Sequence, residues 1–299
     1  MGKTRTTKIA SHLSEVEKIF DAENQSVYSK DQIKKLMDSA KEFGFVSKNI
    51  SIQNFCDFLI QESKLQKWEF KLIYGPFVRF TWNQNSPYEV IKTSNSNGYF
   101  SHYTSLYMNG LTEQIPKSIY FNIEQSPKPV NERGMNQSAI DLAFSRKQRE
   151  TNNICTVNGT TFKVLSGKWT NNLGVEEGEH IEFGRVRKTD GERTLIDSIV
   201  RPNYSGGVAE ILKAFRLAKQ ARKISVKKIY DYLQIINHKY PYHQVIGWYL
   251  EMSGVFTNEE IEFFENIEKQ FDFYLNYELK NPSYSRRWRL YYPKGFELS

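Results

Sequence analysis

Ser51-Ile52-Gln53-Asn54-Phe55-Cys56-Asp57-Phe58-Leu59-Ile60-Gln61 reads as a capped helix with one apolar and one polar side. Ser51 supplies an N-cap oxygen, and Ile52, Phe55, Phe58 and Leu59 recur at helical spacing as the face to be buried. Gln53, Asn54, Asp57 and Gln61 then point outward. Upstream, Ser29-Lys30-Asp31-Gln32 has the pattern of a capping box, opening a helix with the stripe Ile33, Leu36, Met37 and Ala40. Gly44 is its left-handed stop. A shorter helix is expected over residues 12–22 from Leu13, Val16 and Phe20. Downstream, residues 67–73 begin with strand-like alternation and Gly75-Pro76 turns the chain. Residues 77–82 return with Val78, Phe80 and Trp82 on one face. Three helices followed by a hairpin predict a winged helix-turn-helix over residues 1–83.

In that arrangement the third helix can enter a major groove about 12 Å wide while the hairpin lies on the flanking backbone. Gln53 and Asn54 are suited to two-pronged pairing with adenine, with Ser51 beside them. Lys30, Lys34, Lys48 and Lys64 are candidates for phosphate contacts, and Arg79 joins them from the hairpin. The same residues would serve as the solvated face of a protein-binding module, so both readings stand at this point.

The chain of 299 residues is long enough for two domains, and 39% hydrophobic against 25% charged residues marks a folded protein. Cys56 and Cys155 have no partner spacing, which excludes a cysteine-based zinc site and suits a reducing compartment. The basic start is followed by no apolar run, and no window resembles a membrane span, so a soluble cytoplasmic protein is expected. The formal charge of +7 is unevenly spread. On a helix starting near Val208, Lys213, Arg216, Lys219 and Lys223 recur on one side. This second basic face would extend a DNA footprint, bind RNA, or be merely solvated.

After a polar linker at residues 83–87, a larger mixed α/β domain is expected over 86–299, with a helical C-terminal half. Strands are predicted at 88–92, 118–123, 154–157, 161–165 and 180–186, with a loop at 124–134. Helices are predicted at 99–109, 192–200, 208–220, 225–236, 243–252 and 258–271. The basic and aromatic segment 285–292 is expected at a sheet edge. The fold class is therefore mixed α/β, of the α+β kind.

Little in this domain suggests catalysis. Adjacent helical residues point about 100° apart, so Ser101-His102 reads as a cap and a polar neighbour, not as a nucleophile and its base. Glu192 would complement a helix dipole while Arg193 pairs with Asp197, four residues on. The metal-dependent nuclease pattern of converging carboxylates and a lysine is not found, nor are His-Glu-x-x-His and the phosphate loop. No metal and no cofactor is expected.

The run Tyr99-Phe100-Ser101-His102-Tyr103-Thr104-Ser105-Leu106-Tyr107-Met108-Asn109-Gly110-Leu111-Thr112-Glu113-Gln114-Ile115-Pro116 resembles the core segment of AbiEi-family antitoxins. Gly191-Glu192-Arg193-Thr194-Leu195-Ile196-Asp197, continuing to Arg201-Pro202 and Gly206-Gly207, is a second similar stretch. Val245-Ile246-Gly247-Trp248-Tyr249-Leu250-Glu251 up to Gly254 is a third. The resemblance spans residues 86–254. It implies structural roles for Ser101, His102, Gly110, Gln114, Pro116, Glu192, Arg193 and Asp197. It further implies a bacterial, type IV antitoxin that represses its own operon by binding an inverted repeat in double-stranded DNA, as a dimer on the DNA. The functional partner would be a nucleotidyltransferase-like toxin, with no stable complex required. The alternatives are a non-catalytic adaptor for RNA or protein and, third, a metal-dependent nuclease.

Overall fold

The computed structural model describes residues 3–73, 75–83, 86–129 and 134–296, with side chains from residue 7 onward. These residues form a mixed α/β protein of twelve α-helices and three sheets. The chain divides into two compact units. The first comprises Met1–Ser96, Asn153–Thr161 and Glu182–Gly184, and the second comprises the rest.

The first unit opens with α1 (Lys3–Ser11) and α2 (Leu13–Asp21) where the apolar spacing predicts one helix. Ile9 of the added helix is fully buried in the same core as Val16 and Phe20. After β1 (Val27–Tyr28) comes α3 (Lys30–Glu42), whose capping box forms as read: Ser29 Oγ accepts from Gln32 N, and Gln32 Oε1 from Ser29 N at 2.7 Å. Its stripe Ile33, Leu36, Met37 and Ala40 is buried, and Gly44 takes a φ of +76°. In α4 (Ile52–Glu62), Ser51 caps the Asn54 amide. Phe55, Cys56 and Leu59 are buried, while Ile52 and Phe58 are only partly so.

β2 (Leu65–Leu72) and β3 (Gly75–Trp82) form an antiparallel hairpin in register from Leu65↔Trp82 to Leu72↔Gly75. The short β1 pairs antiparallel with β3, so the sheet order is β1-β3-β2. Trp82 ties hairpin to helices. Its ring stacks on Phe20 at 4.4 Å, and its Nε1 donates to Asp21 at 2.7 Å. Residues 88–92, expected as a strand, belong instead to α5 (Pro87–Lys92). Pro87 in the first turn and Glu89 near the positive helix end are start signals that outweigh the β-branched Val90 and Ile91.

The second unit begins with β4 (Tyr99–Phe100), α6 (His102–Met108), β5 (Ser118–Glu124) and α7 (Gln137–Phe144). β6 (Ile154–Val157) lies in the stretch that returns to the first unit, where Asn158 Nδ2 reaches the Lys67 carbonyl. Then come β7 (Thr160–Gly167), β8 (Val175–His180) and β9 (Gly184–Thr189), two separate strands where one was expected over 180–186. In the second unit β7, β5, β4, β9 and β8 lie side by side in that order, β4 antiparallel to β5 and parallel to β9.

The helical half follows the predicted pattern: α8 (Gly191–Val200), α9 (Val208–Gln220), α10 (Val226–Ile236), α11 (Tyr242–Ser253) and a shorter α12 (Asn258–Glu265). Their core holds Leu195, Ile211, Phe215, Trp248 and Tyr249, with the Phe215 and Tyr249 rings stacked at 5.2 Å. The chain ends in β10 (Phe273–Tyr274), β11 (Ser283–Ser285) and β12 (Leu290–Tyr292). β12 was expected at a sheet edge and is instead the central strand, with β10 and β11 on either side. Of the loop and linker expected at 124–134 and 83–87, residues 130–133 and 84–85 lie outside the described residues. No described helix is long and apolar enough to cross a membrane.

Candidate nucleic-acid interface

The outward face of α4 carries Ser51, Gln53, Asn54, Asp57 and Gln61, all exposed. Ser51 serves as the cap, and Gln53 Nε2 donates to Asp57 at 2.8 Å, so part of its amide is satisfied within the helix. Asn54 offers its side-chain amide on the same face. Lys30, Lys34 and Lys48 are exposed.

Two of the cations predicted for phosphate contact have work inside the unit. Lys64 approaches Asp21 at 3.5 Å and lies 5.7 Å from the Trp82 ring centre. Arg79 is committed further. Its Nε donates to Thr93 Oγ1, its NH1 to the Val78 carbonyl and its NH2 to the Thr93 carbonyl, all within 3.1 Å. The guanidinium also stacks over Phe77 at 4.3 Å, and burial lowers its pKa. Arg79 therefore clamps the end of α5 to β3. Lys67 and Lys71 were not singled out from the sequence, yet both are exposed on β2, Lys67 paired with Glu69 at 2.7 Å. They flank Glu69 on one side of the strand, a placement that period-2 alternation alone would have revealed.

Lys213, Arg216 and Lys219 lie on α9, but the helix ends at Gln220, so Lys223 falls beyond it and not on the expected helical face; most of these cations are occupied. Arg216 donates to the Ser253 and Met252 carbonyls at the C-terminus of α11, where a cation suits the helix dipole. Lys219 pairs with Glu260 at 2.6 Å, and Lys223 donates to the Asn109 carbonyl at 2.8 Å. Lys213 is exposed, and no ion pair of it is present among the described residues. Helical spacing tells which residues share a side; it is silent on what packs against that side, here the ends of α6, α11 and α12.

The two main stretches of the resemblance meet in the second unit. α6 packs on α8, and Asn109 Nδ2 donates to the Thr189 carbonyl at 2.9 Å and to Thr194 Oγ1 at 3.2 Å. Gly110 has a φ of +63°, and a Cβ there would lie 2.8 Å from Lys223 Nζ. Gln114 is exposed with its amide bonded to Thr112 Oγ1, and Pro116 leads toward β5. Arg193 Nε meets Asp197 at 2.8 Å, the pairing expected from their spacing. Glu192 sits in the first turn of α8, as expected for a group complementing the helix dipole, and has further partners. It accepts from the Ser225 amide at 2.9 Å and from Lys228 at 3.1 Å, anchoring the start of α10, while Asp190 caps α8. Two carboxylates escaped the sequence reading altogether: Glu210, which accepts from Thr112 at 2.6 Å and Tyr103 at 3.2 Å, and Glu124, which accepts from Tyr99 at 3.0 Å and from Thr170. Neither lies in a recognisable pattern, because their partners are distant in the chain.

Ser101 and His102 correct the sequence expectation. Ser101 precedes α6 but makes no side-chain cap; its Oγ is 2.9 Å from His102 Nδ1. The 100° argument assumed helical dihedrals, whereas His102 has a φ of +51°. Ser101 is 1% exposed and the imidazole sits edge-on to Tyr204 at 5.4 Å, so the pair is a closed interior contact. Burial pushes His102 down to about 4, leaving it neutral. A folded-state pKa below the unfolded value of about 6.5 means that the unfolded chain binds the extra proton. The stabilisation is thus complete above pH 6.5 and lost as pH falls toward 4, by about 3 kcal/mol for this residue. Urea unfolding of the wild type should weaken steeply between pH 7 and 4.5, and His102→Asn should lose less over the same interval.

No protein-family model matches the chain, and no curated protein matches it.

Proposed function

We propose that this chain is a DNA-binding antitoxin of the AbiEi type, working in the bacterial cytoplasm, whose first unit acts as a winged helix-turn-helix. The observation that carries the DNA-binding part is the exposed, capped face of α4, followed by a hairpin whose β3 pairs with β1. In this reading α4 lies in the major groove with Asn54 and Gln53 at the base edges, and Lys30, Lys34 and Lys48 meet phosphates. Lys71 on the hairpin adds to that contact, while Lys64 and Arg79 hold the module together. Two copies on an inverted repeat in the protein's own promoter would give repression. The antitoxin role, with a nucleotidyltransferase-like toxin as functional partner, rests on the resemblance of residues 99–116 and 191–207.

The test is a salt titration of binding to the duplex upstream of the protein's own reading frame, against a scrambled duplex. Gln53→Ala/Asn54→Ala should lower affinity for the native duplex by at least about tenfold, the scale of one two-pronged base contact. Lys34→Ala should weaken both duplexes alike and flatten the log–log salt slope by about 0.9. A second reading, a protein- or RNA-binding adaptor, is favoured by Asp57, whose carboxylate stands in the same face and holds Gln53. Equal affinity for both duplexes would decide for the adaptor.

A further inference from the structure

The loop joining β7 to β8, residues 168–174, holds the one exposed indole of the protein. Of five tryptophans, Trp68, Trp82, Trp248 and Trp288 are at most 4% exposed, whereas Trp169 is 45% exposed. Trp68, Trp82 and Trp288 each donate Nε1 to a side-chain oxygen of their own unit. Trp169 has no hydrogen bond, ring contact or cation partner among the described residues. Its exposure is not looseness. On one side Lys168 Nζ donates to the Ile236 and Asn237 carbonyls at 2.6 and 2.8 Å. On the other, the Thr170 amide donates to Glu124 at 2.9 Å, and Thr170 Oγ1 accepts from Arg193 at 3.0 Å. A large flat ring is thus held out to solvent by neighbours fixed to α10, β5 and α8. A partner therefore gives up little entropy in ordering it.

The charges around the loop select the partner. Glu124 and Asp190, carboxylates that meet the loop, are turned inward. Glu124 accepts from Tyr99 as well as Thr170, and Asp190 caps α8 and accepts from Tyr232. Cations stand at both ends of the loop. Lys239 is exposed two residues beyond a carbonyl that Lys168 grips, and Arg187 comes within 3.5 Å of Asn172. A π face bracketed by cations suits an unpaired base with a phosphate on either side. A duplex offers no such ring, because stacked neighbours cover its base faces and leave only edges and backbone. An apolar group of a partner protein would use the indole but leave the cations without a counter-charge.

We propose that the loop at residues 168–174 binds single-stranded nucleic acid, with one unpaired base stacked on Trp169 and the adjoining phosphates at Lys239 and Arg187. The site belongs to the second unit and does not depend on the reading of α4. RNA and DNA strands share this chemistry, an unpaired base beside its phosphate.

The experiment follows the indole emission of the full-length protein during titration with a short oligoriboadenylate, the matching oligodeoxyadenylate and a blunt adenine–thymine duplex. Stacking on a base quenches an indole, and the Trp169 signal is the part of the quenching that Trp169→Leu abolishes. Either or both strands should quench it and the duplex should not; the tighter of the two strands identifies RNA or DNA as the source. Trp169→Leu should weaken strand binding at least about fivefold, the scale of one lost stacking contact, with an unchanged urea midpoint. Trp169→Phe should keep most of the affinity, and Lys239→Ala should flatten the log–log salt slope by about 0.7. Gln53→Ala/Asn54→Ala should leave the quenching as it is, so failure of the α4 reading and failure of this one are separate results. No quenching by either strand, equal quenching by the duplex, or undiminished strand binding by Trp169→Leu would overturn the proposal. Quenching by an acidic peptide alone would overturn it as well, in favour of a protein partner.

Discussion

Arg193→Leu is expected to destabilise the second unit by about 3–5 kcal/mol, the range for removing one partner of a buried ion pair. Arg193 is 5% exposed and ties α8 to the loop at residues 170–173. Its Nε bonds Asp197 at 2.8 Å, and its NH1 bonds Thr170 Oγ1 at 3.0 Å and the Leu173 carbonyl at 2.7 Å. Leucine would leave the Asp197 carboxylate without its cation and the Leu173 carbonyl without its donor. Arg193→Lys keeps the charge but lacks the planar fork that reaches Asp197 and Leu173 together, so it should recover only part of the loss. Arg193→Leu/Asp197→Leu removes both charges and should be markedly milder than the single change. Urea midpoints for the three variants measure this ordering. A double variant no better than Arg193→Leu would show that the bond to Leu173 dominates, not the ion pair.

The second large effect is expected at Gly247. Alanine in the middle of a helix is ordinarily better than glycine by about 1 kcal/mol. Here the sign should reverse, because a Cβ at position 247 would stand 2.0 Å from Trp288 Cζ3 and 2.3 Å from its Cη2. The indole cannot easily retreat. It is fully buried, and its Nε1 donates to Glu251 Oε2 at 2.6 Å while Glu251 is paired with Arg287. Overpacking of a close-packed core commonly costs about 1–3 kcal/mol, and a contact this short belongs at or above the upper end. Gly247→Ala should therefore lower the urea midpoint strongly, and adding Trp288→Leu should restore part of it. If Gly247→Ala proves neutral, the packing of α11 on the C-terminal strands is looser than described.

Nothing about Gly247 in the sequence distinguishes it from a residue that merely weakens a helix. The same division runs through the rest of the molecule. Helix ends were legible because caps act over three residues: Ser29 and Ser51 each accept from the amide three positions on. Buried faces were legible for the same reason, since helical and strand periods are local. The hairpin of β2 and β3 followed from Gly75-Pro76 and the alternation on either side. What failed was the reading of several cations as free, because their side chains find partners outside their own element. Arg79, Lys64, Arg216, Lys219 and Lys223 looked available in the sequence, and each is engaged by a group elsewhere in its unit.

By itself, then, the sequence determined the mixed α/β class, most helices with their caps and faces, and the pairing of Arg193 with Asp197 within one helix. Tertiary structure alone decided that β12 is central, that His102 turns back to Ser101, and that Arg216 and Lys219 of α9 are occupied. The physical reason is range. Propensity, capping and periodicity act through covalent geometry over a few residues, whereas a hydrogen bond or a collision between Gly247 and Trp288 depends on elements brought together only when the core closes.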